Sequence, residues 1–302
     1  MAKVMQSVRL ASGVMPAVLT PLKADGSADV TLLEQHCRRL LAQGCSGIVL
    51  LGTTGEGNSF TVLERRNILE AVVAGGIAAD KLIVGTGCCA VGDTVELTRH
   101  ALSLGVTRAL VLPPFYYKNV SDRGLFDAFA STIERINDDR VRLFLYSIPQ
   151  VSGITLGVDL IEQLLTAYPQ AVAGLKDSSG HWPTTQLLCR RLGASMHVMV
   201  GTEALLLKAM AAGASGCISA TANVAAQPII RLYEKRDDPE AATIEGGVNA
   251  VRAAFEAFPL IPALKAYLAE TTGVGAWRSV RPPLRPLPPE SAAQLVRSLE
   301  RT

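Results

Sequence analysis

Eight times between Gly13 and Glu234 the chain repeats one unit: a short run apolar on both faces, a turn, then a stretch whose apolar residues recur at helical spacing. Ser46-Gly47-Ile48-Val49-Leu50-Leu51 is such a run, and Leu32, Leu33, Cys37, Leu40 and Leu41 form the helical stripe ahead of it, ended by Gly44. Strands that are hydrophobic on both faces need cover on both, which parallel strands joined through helices obtain. The pattern predicts strands at 13–20, 46–51, 82–85, 108–112, 142–146, 171–176, 197–200 and 215–219. Helices are expected at 29–43, 63–74, 93–104, 122–136, 158–167, 184–192, 204–212 and 224–234. No Gly-x-Gly-x-x-Gly follows the first strand, so an open doubly wound sheet is disfavoured. We expect an α/β fold, a closed (β/α)8 or TIM barrel over residues 1–236, with a C-terminal helical extension over 237–302. Asp237, Asp238 and Pro239 mark the start of that extension. Pro282, Pro283, Pro286, Pro288 and Pro289 interrupt it before a last short helix, and that proline-rich piece reads as an ordered connector.

A chain of 302 residues with 49% apolar content can bury the core such a barrel needs. Its net charge of +2 comes from 29 basic and 27 acidic residues that are dispersed, the basic runs being no longer than Arg38-Arg39, Arg65-Arg66 and Arg190-Arg191. No nucleic-acid partner is expected. No uninterrupted apolar segment approaches a membrane span, so no membrane partner is expected either and the chain reads as soluble. Lys3 and Arg9 precede a mildly apolar stretch, but Gly13 and Pro16 interrupt it and a signal peptide is the poorer reading. The six cysteines, at 37, 45, 88, 89, 189 and 217, lack metal-ligand spacing and read as free thiols of a reducing cytoplasm.

In a barrel of this kind, chemistry belongs to the C-terminal ends of the strands and the loops beyond them. Ala171-Val172-Ala173-Gly174-Leu175-Lys176 ends there in a lysine. Such a lysine is ordinarily a solvated strand end, but if buried its ammonium is costly and its amine becomes a nucleophile, so Lys176 is a Schiff-base candidate. After the second strand comes Gly52-Thr53-Thr54-Gly55-Glu56-Gly57, whose hydroxyls and free backbone amides suit an anion or hydroxyl site as well as an ordinary glycine turn. Of only six tyrosines, three stand at strand ends: Tyr116 and Tyr117 in Pro113-Pro114-Phe115-Tyr116-Tyr117-Lys118, and Tyr146 in Tyr146-Ser147-Ile148-Pro149. A phenol can relay protons if other hydroxyls order it; amphipathic rim tyrosines would give the same pattern. His36, His100, His181 and His197 fall mostly in helical stretches and read as surface or packing residues.

Together, Gly-Thr-Thr-Gly-Glu at 52–56, Tyr-Ser-Ile-Pro at 146–149, Gly-Leu-Lys-Asp at 174–177 and Gly-Cys-Ile-Ser-Ala-Thr-Ala-Asn at 216–223 resemble the dihydrodipicolinate synthase/N-acetylneuraminate lyase superfamily. The resemblance spans essentially the whole chain, with motif order and spacing preserved. It implies a barrel enzyme that binds pyruvate, or a 2-oxo acid yielding it, as a Schiff base on lysine, with no metal or other cofactor. By the resemblance, Lys176 is the Schiff-base lysine, Tyr146 the proton shuttle, Thr53 the hydroxyl linking tyrosines in the relay and Thr54 the ligand of the pyruvate carboxylate. Ile218 offers its backbone carbonyl to the pyruvate-derived group. Tyr116, with Tyr117 as the alternative register, matches a tyrosine that reaches across a subunit contact, which implies a homodimer or homotetramer.

The chain departs from the synthases in one place that matters. There an arginine two residues after the Tyr-x-x-Pro proline grips a second carboxylate; here Pro149-Gln150-Val151-Ser152-Gly153 puts a valine in that position. The lysine-feedback asparagine is not evident after Gly85-Thr86-Gly87 either, where Cys88 and Cys89 follow. The segments at 113–118 and 149–153 are instead similar to the lyase and sugar-acid aldolase branches. The expected activity is therefore a pyruvate-dependent class I aldolase or lyase that cleaves or forms a hydroxy-2-oxo acid, a 2-keto-3-deoxy sugar acid being favoured. Dihydrodipicolinate synthase, a dehydratase on the same imine, and a non-catalytic 2-oxo acid binder are the alternatives. Ser178 and Glu203 are the candidates for holding the substrate's tail, each with helix capping as the competing role.

Overall fold

The computed structural model describes residues 11–300. Lys3 and Arg9, in the stretch weighed as a signal peptide, lie outside the described residues. Eight parallel strands alternate with helices: β1 Gly13–Pro16, α1 Val30–Ala42, β2 Ile48–Leu50, α2 Val62–Ala74, β3 Leu82–Gly85, α3 Val91–Ser103, β4 Arg108–Val111, α4 Asp122–Ile136 and β5 Arg142–Ser147. There follow the short α5 Pro149–Ser152, α6 Val158–Ala167, β6 Val172–Asp177, α7 Trp182–Leu192, β7 His197–Val200, α8 Leu206–Ala211, β8 Gly216–Ser219 and α9 Ala222–Glu234. The strands run in the order β1-β8-β7-β6-β5-β4-β3-β2. A parallel bridge between Ala17 and Val49, with Val18 N donating to Val49 O at 2.9 Å, brings the two ends together. This is the expected (β/α)8 barrel.

Local signals account for the helices. Asp29 accepts the Leu32 amide at the start of α1, Thr61 and Glu64 form a reciprocal capping box on α2, and Ser121 caps α4. Two expectations shift, and one element is added. The first strand was expected to reach residue 20, but its ladder ends at Pro16 because Ala17 to Thr20 turn away to make individual contacts. The helix expected over 204–212 opens as a 3-10 turn at Glu203–Leu205 and becomes α-helical only at Leu206. The four-residue α5 is too short for periodicity to show.

The barrel interior is filled from seven of the eight strands: Met15, Val49, Ile83, Leu110, Phe144, Tyr146, Met199 and Ile218 form one buried cluster. Gly174 on β6 makes this possible, because a Cβ there would collide with the Phe144 ring. Two larger aliphatic clusters join the outer faces of the strands to the helix layer.

Beyond the barrel, α10 Ala241–Glu256, α11 Leu260–Thr272 and α12 Pro289–Leu299 complete the chain. Phe255, Leu264, Leu268, Trp277 and Leu295 pack with Leu19 and Ala220, which lie just past β1 and β8. The C-terminal segment is therefore seated at the strand ends where the barrel opens. Among the described residues no helix is long and apolar enough to cross a membrane.

Candidate active site

Strand register assembles the centre of the site. Lys176 on β6 stands directly beside Tyr146 on β5 and Met199 on β7, so all three occupy one level near the C-terminal end of the barrel. Lys176 is only 5% exposed, and its Nζ lies 3.4 Å from Tyr146 Oη and 4.4 Å from the centre of the tyrosine ring. The apolar run that carries the lysine is thus a buried strand, and the amine ends inside it.

Thr53, in the loop after β2, brings its Oγ1 to 3.5 Å from Tyr146 Oη from across the barrel. Burial raises the pKa of the Tyr146 phenol, but the charge of Lys176 and hydrogen bonding with Thr53, Ser178 and Lys176 outweigh it, leaving the phenol below its ordinary value. The result is an amine and an easily ionised phenol in contact, with two hydroxyls around the phenol. That grouping can form an imine and move a proton at the same carbon.

The loop holding Thr53 is tightly built. Leu51 and Glu56 adopt left-handed backbone with φ 56° and 57°, a region that side chains other than glycine seldom enter. Glu56 N donates to Thr53 O and Gly57 N to Gly52 O, both at 3.0 Å. Thr20 Oγ1 donates to Gly55 O at 2.8 Å, and a Cβ on Gly55 would sit 2.7 Å from Val18 O. Thr54 is buried in this turn.

Residues 10–302 match the Dihydrodipicolinate synthetase family. The chain belongs to that family. An uncharacterized DapA-like lyase of Chloroflexus aurantiacus is 36% identical over 295 residues, covering 96% of each chain. The crystal structure of dihydrodipicolinate synthase from Agrobacterium tumefaciens is 34% identical and superposes with a TM-score of 0.90, covering 96% of this chain and 99% of that one. The structure of Proteus mirabilis N-acetylneuraminate lyase is 26% identical with a TM-score of 0.86, covering 96% and 98%. Like its relatives, this member of the dihydrodipicolinate synthetase family is a carbon–carbon lyase.

At the rim of this family member the expected residues separate. Ser178 follows Lys176 directly beyond Asp177, receives the Gln150 side-chain amide on its carbonyl at 2.6 Å, and packs over Gly201, where no Cβ would fit. Ile218 is fully buried on β8. Tyr116 is 73% exposed and stacks edge to face on Tyr117, so within one chain neither reaches Tyr146. Val151 projects from α5 at 61% exposure, where it offers no charge to a substrate.

Glu203, just past the end of β7, is enclosed rather than open at the mouth. Its side chain is wholly buried, Arg252 of α10 lies 3.2 Å from its carboxylate, and Ser219 donates a hydrogen bond to it. Capping falls instead to Thr202, whose side chain accepts the Ala204 amide. The Glu203 carboxylate, expected to hold the substrate's tail, is thus engaged by Arg252 and Ser219 in this structure.

Two supports escaped sequence reasoning. Asp177 accepts from Ser179 N at 3.0 Å, from Ser179 Oγ at 3.1 Å and from Thr185 Oγ1, which freezes the turn after Lys176. The Asp-x-Ser spacing is an aspartate-turn signature that would have found it. Glu56 pairs with Lys265 of α11, 209 residues away, and nothing local announces that contact.

Elsewhere, a groove of about 450 Å³ bordered by Arg66, Glu96, Arg99 and Arg135 lies in the outer helix layer, remote from Lys176. Among the described residues no group of three or more His, Cys, Asp or Glu side chains could hold a metal ion.

Proposed function

We propose that this protein is a pyruvate-dependent class I aldolase whose substrate is a hydroxy-2-oxo acid, a 2-keto-3-deoxy sugar acid above others. The observation that carries this reading is the contact of buried Lys176 Nζ with Tyr146 Oη at 3.4 Å. In cleavage, the Lys176 amine adds to the C2 carbonyl of the substrate, and the Tyr146 phenol gives a proton to the carbinolamine oxygen, which leaves as water. The resulting iminium draws in the electron pair of the C3–C4 bond as that bond breaks. The C4 hydroxyl proton passes to the Tyr146 phenolate and the aldehyde departs. The enamine left on Lys176 takes the proton of the Tyr146 phenol at C3, and water adds to the iminium, returning a proton to the phenolate, to release pyruvate and restore the amine. Thr53 keeps the phenol aimed at the carbinolamine, Thr54 holds the carboxylate, and Ile218 presents its carbonyl to the pyruvate-derived group.

The choice of branch rests on Val151. An enzyme that condenses pyruvate with an amino-aldehyde acid has a second carboxylate to bind, and a valine cannot bind it. A polyhydroxy tail asks for hydroxyls and amides instead, which Ser178 and Gln150, joined by a 2.6 Å hydrogen bond, would supply. The exposed Tyr116 is proposed to complete the relay of a neighbouring subunit.

The test is to reduce the protein with borohydride in the presence of pyruvate and to locate the added mass by peptide mapping. Absence of an adduct on the Lys176 peptide would sink the reading. An adduct without turnover of any 2-oxo acid identifies a binder. Faster consumption of pyruvate with aspartate semialdehyde than release of pyruvate from 2-keto-3-deoxygluconate identifies a synthase and overturns the Val151 argument.

A further inference from the structure

Two carboxylates are buried in the loops around the barrel mouth, and both are neutralised from the C-terminal segment: Glu203 by Arg252 of α10 and Glu56 by Lys265 of α11. The second pair is completely enclosed, with 0% of either side chain exposed. Lys265 Nζ also donates to Ser279 O at 2.7 Å, and Arg281 N donates to Glu56 Oε2 at 2.6 Å. A sealed ion pair is a poor source of stability, because desolvating both charges cancels most of their attraction, and apolar residues of the same size would fill the space as well. What an ion pair with defined hydrogen bonds does supply is position.

The thing positioned is the loop after β2. Glu56 is the residue whose left-handed backbone closes the turn carrying Thr53 and Thr54, and Leu51 at the other end of that turn is left-handed too. Backbone in that region persists only where surrounding contacts over-determine it. The contacts on the outer side of the loop come from the C-terminal segment. Besides the Glu56 pair, Arg281 donates to Ser59 O at 2.8 Å and to Gly26 O at 2.8 Å, ion-pairs with Glu64 and lies 4.0 Å from the centre of the Phe60 ring.

We propose that Lys265 is a positioning residue of the active site: through Glu56 it holds the loop after β2 in the conformation that sets the Thr53 hydroxyl against Tyr146. The C-terminal segment is then part of the catalytic apparatus, although Lys265 never meets the substrate. The proposal rests on the aldolase reading, since the place of Thr53 matters only if Tyr146 moves protons.

The experiment compares the full-length wild type with Lys265→Met, Arg281→Met, Thr53→Val and the double variant Thr53→Val/Lys265→Met, each normalised to its folded fraction by circular dichroism. Borohydride trapping of pyruvate, kcat for release of pyruvate from 2-keto-3-deoxygluconate, and the pH profile of kcat are measured. Lys265→Met and Arg281→Met are expected to keep trapping pyruvate while kcat falls at least about tenfold, the scale of a catalytic group displaced by a fraction of an ångström. Their alkaline limb should move to higher pH, because the Tyr146 phenol loses a hydrogen bond that favours its ionised form. The double variant should lose no more than Thr53→Val does alone, because the two residues act in series. Unchanged kcat and pH profile per folded molecule, or losses that add in the double variant, would overturn the proposal. If Lys265→Met does not fold, Glu56→Gln, which breaks the same ion pair from its other side, overturns the proposal alone when kcat and the pH profile per folded molecule are unchanged. Wild type that traps no pyruvate removes the aldolase reading itself, an outcome distinct from variants that match an active wild type.

Discussion

Tyr146→Phe removes a single atom, the phenol oxygen that lies 3.4 Å from Lys176 Nζ and 3.5 Å from Thr53 Oγ1. The ring stays where it packs inside the barrel with Ile218, Met199 and Phe144. Folding should lose about 1–3 kcal/mol, because the change removes the phenol's hydrogen bonds with Thr53, Ser178 and Lys176 and leaves the buried Lys176 Nζ without that partner. The reaction loses more. Positioned acid–base assistance contributes roughly 10²–10⁴-fold, or about 3–5 kcal/mol of barrier. We expect kcat for pyruvate release to fall by at least about 10²-fold while Tm falls by several degrees.

The pH dependence sharpens that prediction. The phenol ionises below its ordinary value near 10, so as pH rises past that lowered value it can no longer protonate the carbinolamine. Wild-type kcat should then decline on the alkaline side below pH 10, and the variant should lack that limb. Borohydride trapping in the variant should remain measurable, because the nucleophile is intact. A fully active Tyr146→Phe enzyme, or one that keeps the same alkaline limb, refutes the relay.

Lys176→Ala should abolish the pyruvate adduct seen by mass spectrometry; an adduct of undiminished yield would assign the imine to another lysine. If Tyr116 serves a neighbouring subunit, specific activity should fall on dilution as the oligomer dissociates in analytical ultracentrifugation, whereas activity constant down to monomer argues against the shared relay. Burial pushes the pKa of His36 from 6.5 down to about 4 despite its hydrogen bond with Asn223. The stability it contributes is complete above pH 6.5 and is lost as pH falls towards 4, roughly 3 kcal/mol in all at 1.36 kcal/mol per pH unit. His36→Gln should flatten Tm across that window, and an unchanged slope would clear His36 of any part in acid lability. Gly174→Ala would force a methyl group into the Phe144 ring, a clash worth about 1–3 kcal/mol of overpacking, readable as a lower denaturation midpoint. An unaltered midpoint would mean that the barrel interior is looser than its packing implies.

Much of the architecture was legible before any coordinates. The ends of β3, α4, α6 and β7 fall where periodicity alone puts them, because both apolar runs and 3.6-residue stripes are properties of neighbouring residues. Closure of the barrel followed from counting such units. What periodicity could not supply were α5, a single turn without a repeat, and the early end of β1, where the chain leaves the ladder to reach Ser219 and Val49 one hydrogen bond at a time.

The candidate site residues divide along the same line. Lys176 was visible as a charge closing an apolar run, and Tyr146 and Thr53 as unusual residues at strand ends, because those are features of single segments. That Lys176 and Tyr146 face each other is a matter of β5–β6 register, and that Thr53 meets the same phenol depends on the barrel closing. Only the tertiary structure decided the standing of the two buried glutamates. Glu203 and Glu56 look alike as acidic residues in loops after strands, yet each is claimed by a cation from the C-terminal segment, at separations of 49 and 209 residues. A sequence records which groups carry charge; whether a carboxylate faces a substrate or an ammonium depends on which surfaces the folded chain presses together and closes to water.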